Sequence, residues 1–161
     1  MRVYVGLTRS GLAAARERGE VGPAPLTAHA VTPALREWYA TADAEELEYA
    51  ALMGAADAAL PLVAASPDDP PRRFVVACDV PDAGVDPGAG PSGVVLATAV
   101  PWRDVKAIHA DDPAAADTIA KAAAAYAAAQ AGDDDARFAV DEADGWELMW
   151  FATQEADDLL A

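Results

Sequence analysis

Three aspartates lie where predicted strands end, and they are the best candidates for a metal site in this sequence. Asp79 lies near the end of an apolar stretch at residues 74–80, and Asp111 and Asp112 follow a short predicted strand at residues 107–110. Ligands of open α/β sheets collect outside the carboxyl ends of strands, where carboxylates could hold Mg²⁺ together with several waters. Aspartate is also preferred in turns and at helix N-caps. We favour that structural interpretation, keep the metal site as the alternative, and expect no cofactor.

The single cysteine and the two histidines give weaker signals. Cys78 lies inside the same apolar stretch, and the charge of Asp79 would raise the pKa of its thiol, so a core cysteine is favoured over a nucleophile. His29 and His109 stand on predicted strands without further nitrogen or sulfur ligands at the spacing of a zinc site. We interpret both as half-buried, hydrogen-bonded strand residues. These residues form no catalytic set.

Aromatic residues next to arginines indicate a binding surface. Arg36, Trp38 and Tyr39 fall on one predicted helical turn, and Trp, Tyr and Arg dominate the hot spots of protein interfaces. Trp38 and Tyr39 point about 100° apart on a helix, so we expect one in the core and the other exposed. Trp102, beside Arg103, is a second candidate anchor for a partner. The alternative is that these aromatic side chains are structural.

The charge is strongly negative and unevenly spread. The chain has 27 acidic and 11 basic residues, a net charge of −16, and residues 1–40 are nonetheless slightly basic. The acidic remainder should repel nucleic acid and anionic lipid, because binding them requires Lys and Arg. A basic protein partner would be attracted, mainly through a faster, salt-sensitive encounter. The simpler interpretation is that acidity keeps an alanine-rich protein soluble.

Length, cysteine content and hydropathy restrict the class of protein and its location. The 161 residues fit one globular domain, 1–161, and no run of about 18 apolar residues predicts a membrane span. No signal peptide is recognised, and one cysteine cannot form an internal disulfide, so we expect a cytoplasmic protein. An alanine-rich helix near residues 113–131 could serve as the packing face of a homodimer.

Hydrophobic periodicity predicts the elements that must position these residues. Alternation at residues 1–7 predicts a strand, Thr32–Pro33 and Asp43 with Glu46 predict helix starts, and Pro61 should end or kink the second of these helices. Strands separated by helices favour parallel pairs. We therefore predict an α/β or α+β domain with a mixed sheet of about five or six strands and helices packed on it. Residues 81–93, rich in Pro and Gly, are predicted to be a flexible loop between two paired strands, and Trp146 and Trp150 are expected to pack inward from the last strand.

Three segments resemble a family of small actinobacterial proteins of unknown function. They are GEVGPAPLTAHAVTPALREWYATADAEELEYAAL at residues 19–52, RRFVVACDVP at 72–81 and ELMWFATQEADDLL at 147–160. The resemblance covers most of the chain and implies an actinobacterial, cytoplasmic origin. It implies no catalytic residues.

The sequence leaves two possible functions open. The first is a non-enzymatic, acidic interaction module that binds a basic protein partner through Arg36, Trp38, Tyr39 and Trp102. The alternative is a small enzyme or ligand-binding domain, with a divalent metal held by Asp79 and by Asp111 or Asp112. We favour the first because the acidic groups are spread along the chain and no catalytic set is recognised.

Overall fold

A computed structural model describes residues 1–82 and 84–161, which form a seven-stranded sheet with helices on both faces and a separate two-stranded ribbon. The strands are β1 (Arg2–Leu7), β2 (Glu20–Val21), β3 (Leu26–His29), β4 (Phe74–Asp79), β5 (Val85–Pro87), β6 (Gly93–Leu96), β7 (Val100–Pro101), β8 (Val105–Asp111) and β9 (Leu148–Phe151). The α-helices are α1 (Arg9–Arg18), α2 (Pro33–Trp38), α3 (Ala44–Ala64), α4 (Ala116–Gln130), α5 (Asp134–Asp144) and α6 (Ala156–Leu160).

Seven of the strands form one sheet in the order β5-β6-β3-β1-β4-β8-β9, and β2 pairs with β7 separately. The α/β class is confirmed, with slightly more strands than predicted. Each described strand pair is antiparallel, so the expected parallel pairs are not found. After α2 and α3 the chain forms β4, which pairs antiparallel with β1. The direction of this pair depends on long-range packing and not on a local sequence pattern.

The two faces of the sheet carry different layers. One face, with Val5, Phe74 and Ile108, packs against α1, α6 and the β2–β7 ribbon. The other face, with Val75 and Ala77, is covered by α3, which crosses β3, β1 and β4. Helices α4 and α5 lie next to α3, and the apolar side of α4 is buried against α3 and α5. The alanine-rich side of α4 therefore packs within the same chain.

Helix α3 does not end at Pro61 but continues to Ala64. Asp43 caps its first turn by accepting a hydrogen bond from the backbone N–H of Glu46 at 2.9 Å. Pro61 has no N–H to donate to the carbonyl of Asp57, a loss that the buried packing of this helix tolerates. Within the described residues, α3 is the one helix long and apolar enough to cross a membrane by length and composition. Its small face, with Ala55 fully buried, is packed on the sheet instead.

Two segments differ from their predicted structure. Within residues 81–93, Val85–Pro87 form β5 and pair with β6, while Ala83 lies outside the described residues. Strands β4 and β6, predicted to pair around this segment, are separated by β1 and β3. At the other end of the sheet the last strand, β9, is a short edge strand, and Trp150 on it is 62% exposed rather than packed inward.

Candidate functional site

A groove of about 850 Å³ opens between α2, α3 and α5 on the α3 side of the sheet. We call it the α2–α3 groove. Aromatic side chains form one wall, carboxylates of α3 form its rim, and an aspartate of α3 faces α5 at its floor. The residues that line it are Leu35, Trp38, Tyr39, Ala42, Glu45, Glu46, Tyr49, Ala50, Met53, Gly54, Asp57, Pro91, Ser92, Arg137 and Asp144.

The aromatic wall contains two of the residues predicted to bind a partner. Helix α2 has six residues, since Thr32 caps its start and the helix ends at Trp38. Leu35 is its one buried residue. Both Trp38, 71% exposed, and Tyr39, 48% exposed, therefore stand outside the core, whereas one of them was expected inside it. Tyr49 of α3 is exposed on the same wall. Three exposed aromatic side chains around one groove are typical of a binding surface.

The floor of the groove holds a carboxyl pair that the sequence analysis did not identify. Asp57 of α3, which is partly buried, and Asp144 of α5, which is exposed, both line the groove. Burial, the hydrogen bond with Asp144 and the repulsion between the two charges raise the pKa of Asp57 to about 8, against the opposing charges of Arg73 and Arg137. The Asp57 carboxyl consequently keeps its proton to a higher pH than an ordinary aspartate does. A perturbed acid inside a groove is a recognised indicator of a functional site.

Arg73 fixes the position of this floor from inside the protein. Its side chain is fully buried and holds Asp111, also fully buried, through Nε at 3.0 Å and Nη2 at 2.9 Å. Nη2 also donates to the carbonyl of Ala143 at 3.1 Å, at the end of α5. The remaining nitrogen, Nη1, lies 4.0 Å from Oδ1 of Asp57, and neither atom has a hydrogen-bond partner among the residues that the structure describes. Two unpartnered buried polar atoms facing one another require an explanation.

The structure does not bring the predicted metal ligands together. Asp79 is at one end of β4, exposed and paired with Arg2 at 2.7 Å, and the pKa of its carboxyl is lowered by that hydrogen bond. Asp111 is beside Arg73 at the other end of β4, about 20 Å away at the rise of a strand. Asp112 accepts a hydrogen bond from the N–H of Ala114 at 2.9 Å. In the part of the chain that the structure describes, no three His, Cys, Asp or Glu residues could hold a metal ion.

The other two residues predicted to bind a partner lie away from the groove. Trp102 packs on the opposite face of the sheet, where the guanidinium of Arg16 stacks 5.7 Å from its ring centre. Arg36 is exposed on α2 but does not line the groove. The four residues therefore do not form a single surface, since only Trp38 and Tyr39 share one.

The cysteine and histidines lie where the sequence predicts them. Cys78 is fully buried, and burial followed by the charge of Asp79 raises the pKa of its thiol to about 12, so the thiol is not a nucleophile at neutral pH. His29 and His109 are half-buried on β3 and β8. His29 Nδ1 is hydrogen-bonded to Ser92 Oγ at 2.8 Å, and Gly54 of α3 leaves the room that this pair needs.

The proton on Asp57 makes stability depend on pH in a defined direction. The folded protein keeps this proton up to about pH 8, whereas an unfolded aspartate loses it near pH 4, so rising pH favours unfolding across that interval. Asp57→Asn cannot ionise and should stabilise the protein by about 1 kcal/mol more at pH 9 than at pH 5, allowing for the 37% exposure of the side chain. Urea denaturation at both pH values measures this difference. The exposed rim variant Glu45→Gln serves as the control, and an equal difference for both variants would contradict the assignment.

Comparison with known proteins identifies a family but no activity. The model of one family, described as Family of unknown function (DUF6912), matches residues 1–160. Comparison with curated proteins and with solved structures gave no significant match. The resemblance to a family of unknown function is thereby confirmed over nearly the whole chain. The description names no organism, so actinobacterial origin stays a prediction.

Proposed function

The chain belongs to this family of unknown function, and we propose that it is a non-enzymatic interaction module whose α2–α3 groove binds a basic segment of a partner protein. The observation that carries the proposal is one groove that combines three exposed aromatic side chains with carboxylates at its rim and floor. Aromatic rings bind the alkyl stems and cationic heads of Lys and Arg. The carboxylates supply the opposite charge.

The charge of the whole chain supports the same partner. With 27 acidic and 11 basic residues, the protein attracts a basic segment from a distance and accelerates its encounter with the groove. Glu45 and Glu46 are exposed in the first turn of α3 and extend this negative field to the entrance. Arg137 lines the groove too, but Asp141 pairs with it at 3.4 Å. The groove therefore offers a predominantly negative surface. On the argument from Cys78, we place this interaction in the cytoplasm.

Binding of a peptide that contains arginine and leucine tests the proposal. At low salt the peptide should bind and a glutamate-containing peptide of equal length should not, and the affinity should fall as salt is raised. Trp38→Ala should weaken binding about 30-fold, the effect of removing an aromatic hot spot of about 2 kcal/mol. Fluorescence anisotropy of the labelled peptides gives the dissociation constants.

Trp150→Ala is the matched control, because Trp150 is similarly exposed but lies outside the groove. It should change the affinity by no more than about twofold, as should Trp102→Ala on the opposite face. The proposal is wrong if the wild-type protein does not distinguish the two peptides. It is also wrong if Trp150→Ala weakens binding as much as Trp38→Ala.

A further inference from the structure

We propose that the outer side of β9 is a site for β-strand addition, at which an extended segment of a partner protein that contains Lys or Arg pairs with the backbone of Leu148 and Trp150. The site is separate from the α2–α3 groove and does not depend on it. In strand addition the backbone hydrogen bonds supply the affinity, while side chains and charge select the partner.

Strand β9 is an edge strand that lacks the usual protection against pairing. No described strand pairs with its outer side. Its sequence, LMWF, contains no charge and no proline, it pairs with β8 in unbroken register, and Met149 and Trp150 are exposed. Strand β5 at the opposite edge contains Asp86 and Pro87, residue types by which natural sheets prevent pairing at an edge. The β9 edge is therefore the one open to a further strand.

One hydrogen bond of β8 shows which of its backbone groups face β9. The N–H of Asp111 donates to the carbonyl of Arg73 at 3.1 Å, on the side of β8 that faces β4. The pairing of β8 with β4 is regular from Ala107 onward. Successive residues of an antiparallel strand direct their N–H and C=O groups to alternate sides. The backbone groups of Ile108 and Ala110 consequently point toward β9.

The register of β9 then determines which of its own groups face outward. Phe151 and Met149 lie opposite Ile108 and Ala110, so they exchange hydrogen bonds with β8. The residues between them and before them, Trp150 and Leu148, direct their N–H and C=O groups away from the sheet. These four groups are the ones that an added strand would pair with.

The next outward N–H along the chain already has an acceptor. By the same alternation the N–H of Ala152 faces outward, and it donates to Oε2 of Glu155 at 2.7 Å. The chain itself thus satisfies the outward donor that follows the strand. Strand addition is confined to β9 itself.

The charge around β9 selects a basic segment. Residues 138–161 contain seven acidic residues and no Lys, Arg or His. Glu147 is exposed directly before the strand and Glu155 after it, and neither forms an ion pair within the described part of the chain. A second copy, with its own net charge of −16, would bring the same acidic residues together across the edge. A segment with Lys or Arg fits the site better.

Amide hydrogen exchange measured by NMR tests the site directly. A saturating peptide of alternating valine and lysine should slow exchange of the Leu148 and Trp150 amides at least about tenfold, because they gain a hydrogen-bond acceptor. The amides of Met149 and Phe151 are already bonded to β8 and should change little. A peptide of alternating valine and glutamate should protect none of them. Trp38→Ala, which alters only the groove, should leave the protection unchanged.

Proline variants test the direction of the backbone groups. In the Trp38→Ala background, Trp150→Pro should bind the valine–lysine peptide at least about fivefold more weakly than Trp150→Ala, which keeps the outward N–H. Fluorescence anisotropy gives both dissociation constants. Met149→Pro removes a hydrogen bond to β8 and should be less stable to urea than Trp150→Pro, which removes an N–H without a partner in the sheet.

Four results would each overturn the proposal. The first is unchanged exchange of the Leu148 and Trp150 amides at saturating valine–lysine peptide, and the second is equal protection by the valine–glutamate peptide. The third is equal affinity of Trp150→Pro and Trp150→Ala. The fourth is protection of Trp150 that rises with protein concentration in the absence of peptide, because the occupant of the edge would then be a second copy of the chain.

Discussion

Replacing Arg73 with methionine is expected to lower the free energy of unfolding by about 3–5 kcal/mol, the cost of leaving one member of a buried ion pair without its partner. Asp111, which is fully buried, would lose both side-chain donors and keep one hydrogen bond from the backbone N–H of Arg73 at 2.8 Å. The carbonyl of Ala143 would lose a donor as well. The variant therefore removes the side-chain link from Arg73 to Asp111 of β8 and to the end of α5.

Chemical denaturation of matched variants measures this cost. Arg137→Met removes an ion pair with Asp141 in which both side chains are 58% exposed, and it should cost less than about 1 kcal/mol. Combining Arg73→Met with Asp111→Leu should cost less than the sum of the two single changes, because the double variant leaves no unpaired buried charge. An Arg73→Met variant no less stable than Arg137→Met would show that the pair contributes little.

Local sequence signals predicted the ends of elements better than their arrangement. The starts of α2 and α3 were predicted from Thr32–Pro33 and from Asp43 with Glu46. Such signals are local, because a capping side chain satisfies free backbone N–H groups without contacts from the rest of the fold. The antiparallel order of the sheet depends instead on which strands meet after long excursions. No local pattern encodes that β4 pairs with β1, and helix–strand alternation favoured the wrong direction.

The difference between local signals and long-range arrangement also explains why half of the candidate site was predicted. Trp38 and Tyr39 were identified because their residue types are typical of interfaces wherever they occur. The acid pair was missed because Asp144 belongs to α5, a helix that the sequence analysis did not predict. Asp57 did carry a signal, since it is the one charged residue in the apolar stretch 51–65 of α3. A carboxyl that a helix carries into its apolar part requires a partner or a function.

The acidic charge and the groove act at different distances in the proposed mechanism. The surplus of carboxylates on the surface sets a long-range field that salt screens, and it distinguishes basic from acidic partners by rate of encounter. The groove acts only on contact, through its aromatic wall and the carboxylates that line it. Four of the acidic residues that the sequence analysis considered to be spread along the chain line this groove, namely Glu45, Glu46, Asp57 and Asp144.

A methyl group added at Gly6 is expected to disturb both the fold and the groove. Strand β1 approaches α3 so closely that a Cβ at Gly6 would lie 2.3 Å from the carbonyl oxygen of Ala55 and 3.2 Å from the backbone nitrogen of Ala59. Both contacts are with backbone, which no side-chain rotation relieves. Gly6→Ala should therefore displace α3 from the sheet and lower the free energy of unfolding by about 1–3 kcal/mol, the usual cost of overpacking.

The groove should report the same displacement, since α3 carries Tyr49 and Asp57 along with it. Peptide affinity should fall for Gly6→Ala under conditions in which the variant is still folded, although Gly6 does not line the groove. Gly145→Ala is the control: this exposed glycine has helical backbone angles, and alanine there should change stability by no more than about 0.5 kcal/mol. Denaturation together with peptide anisotropy measures both effects. If Gly6→Ala is as stable as Gly145→Ala, the close packing of α3 on β1 is not what positions the groove.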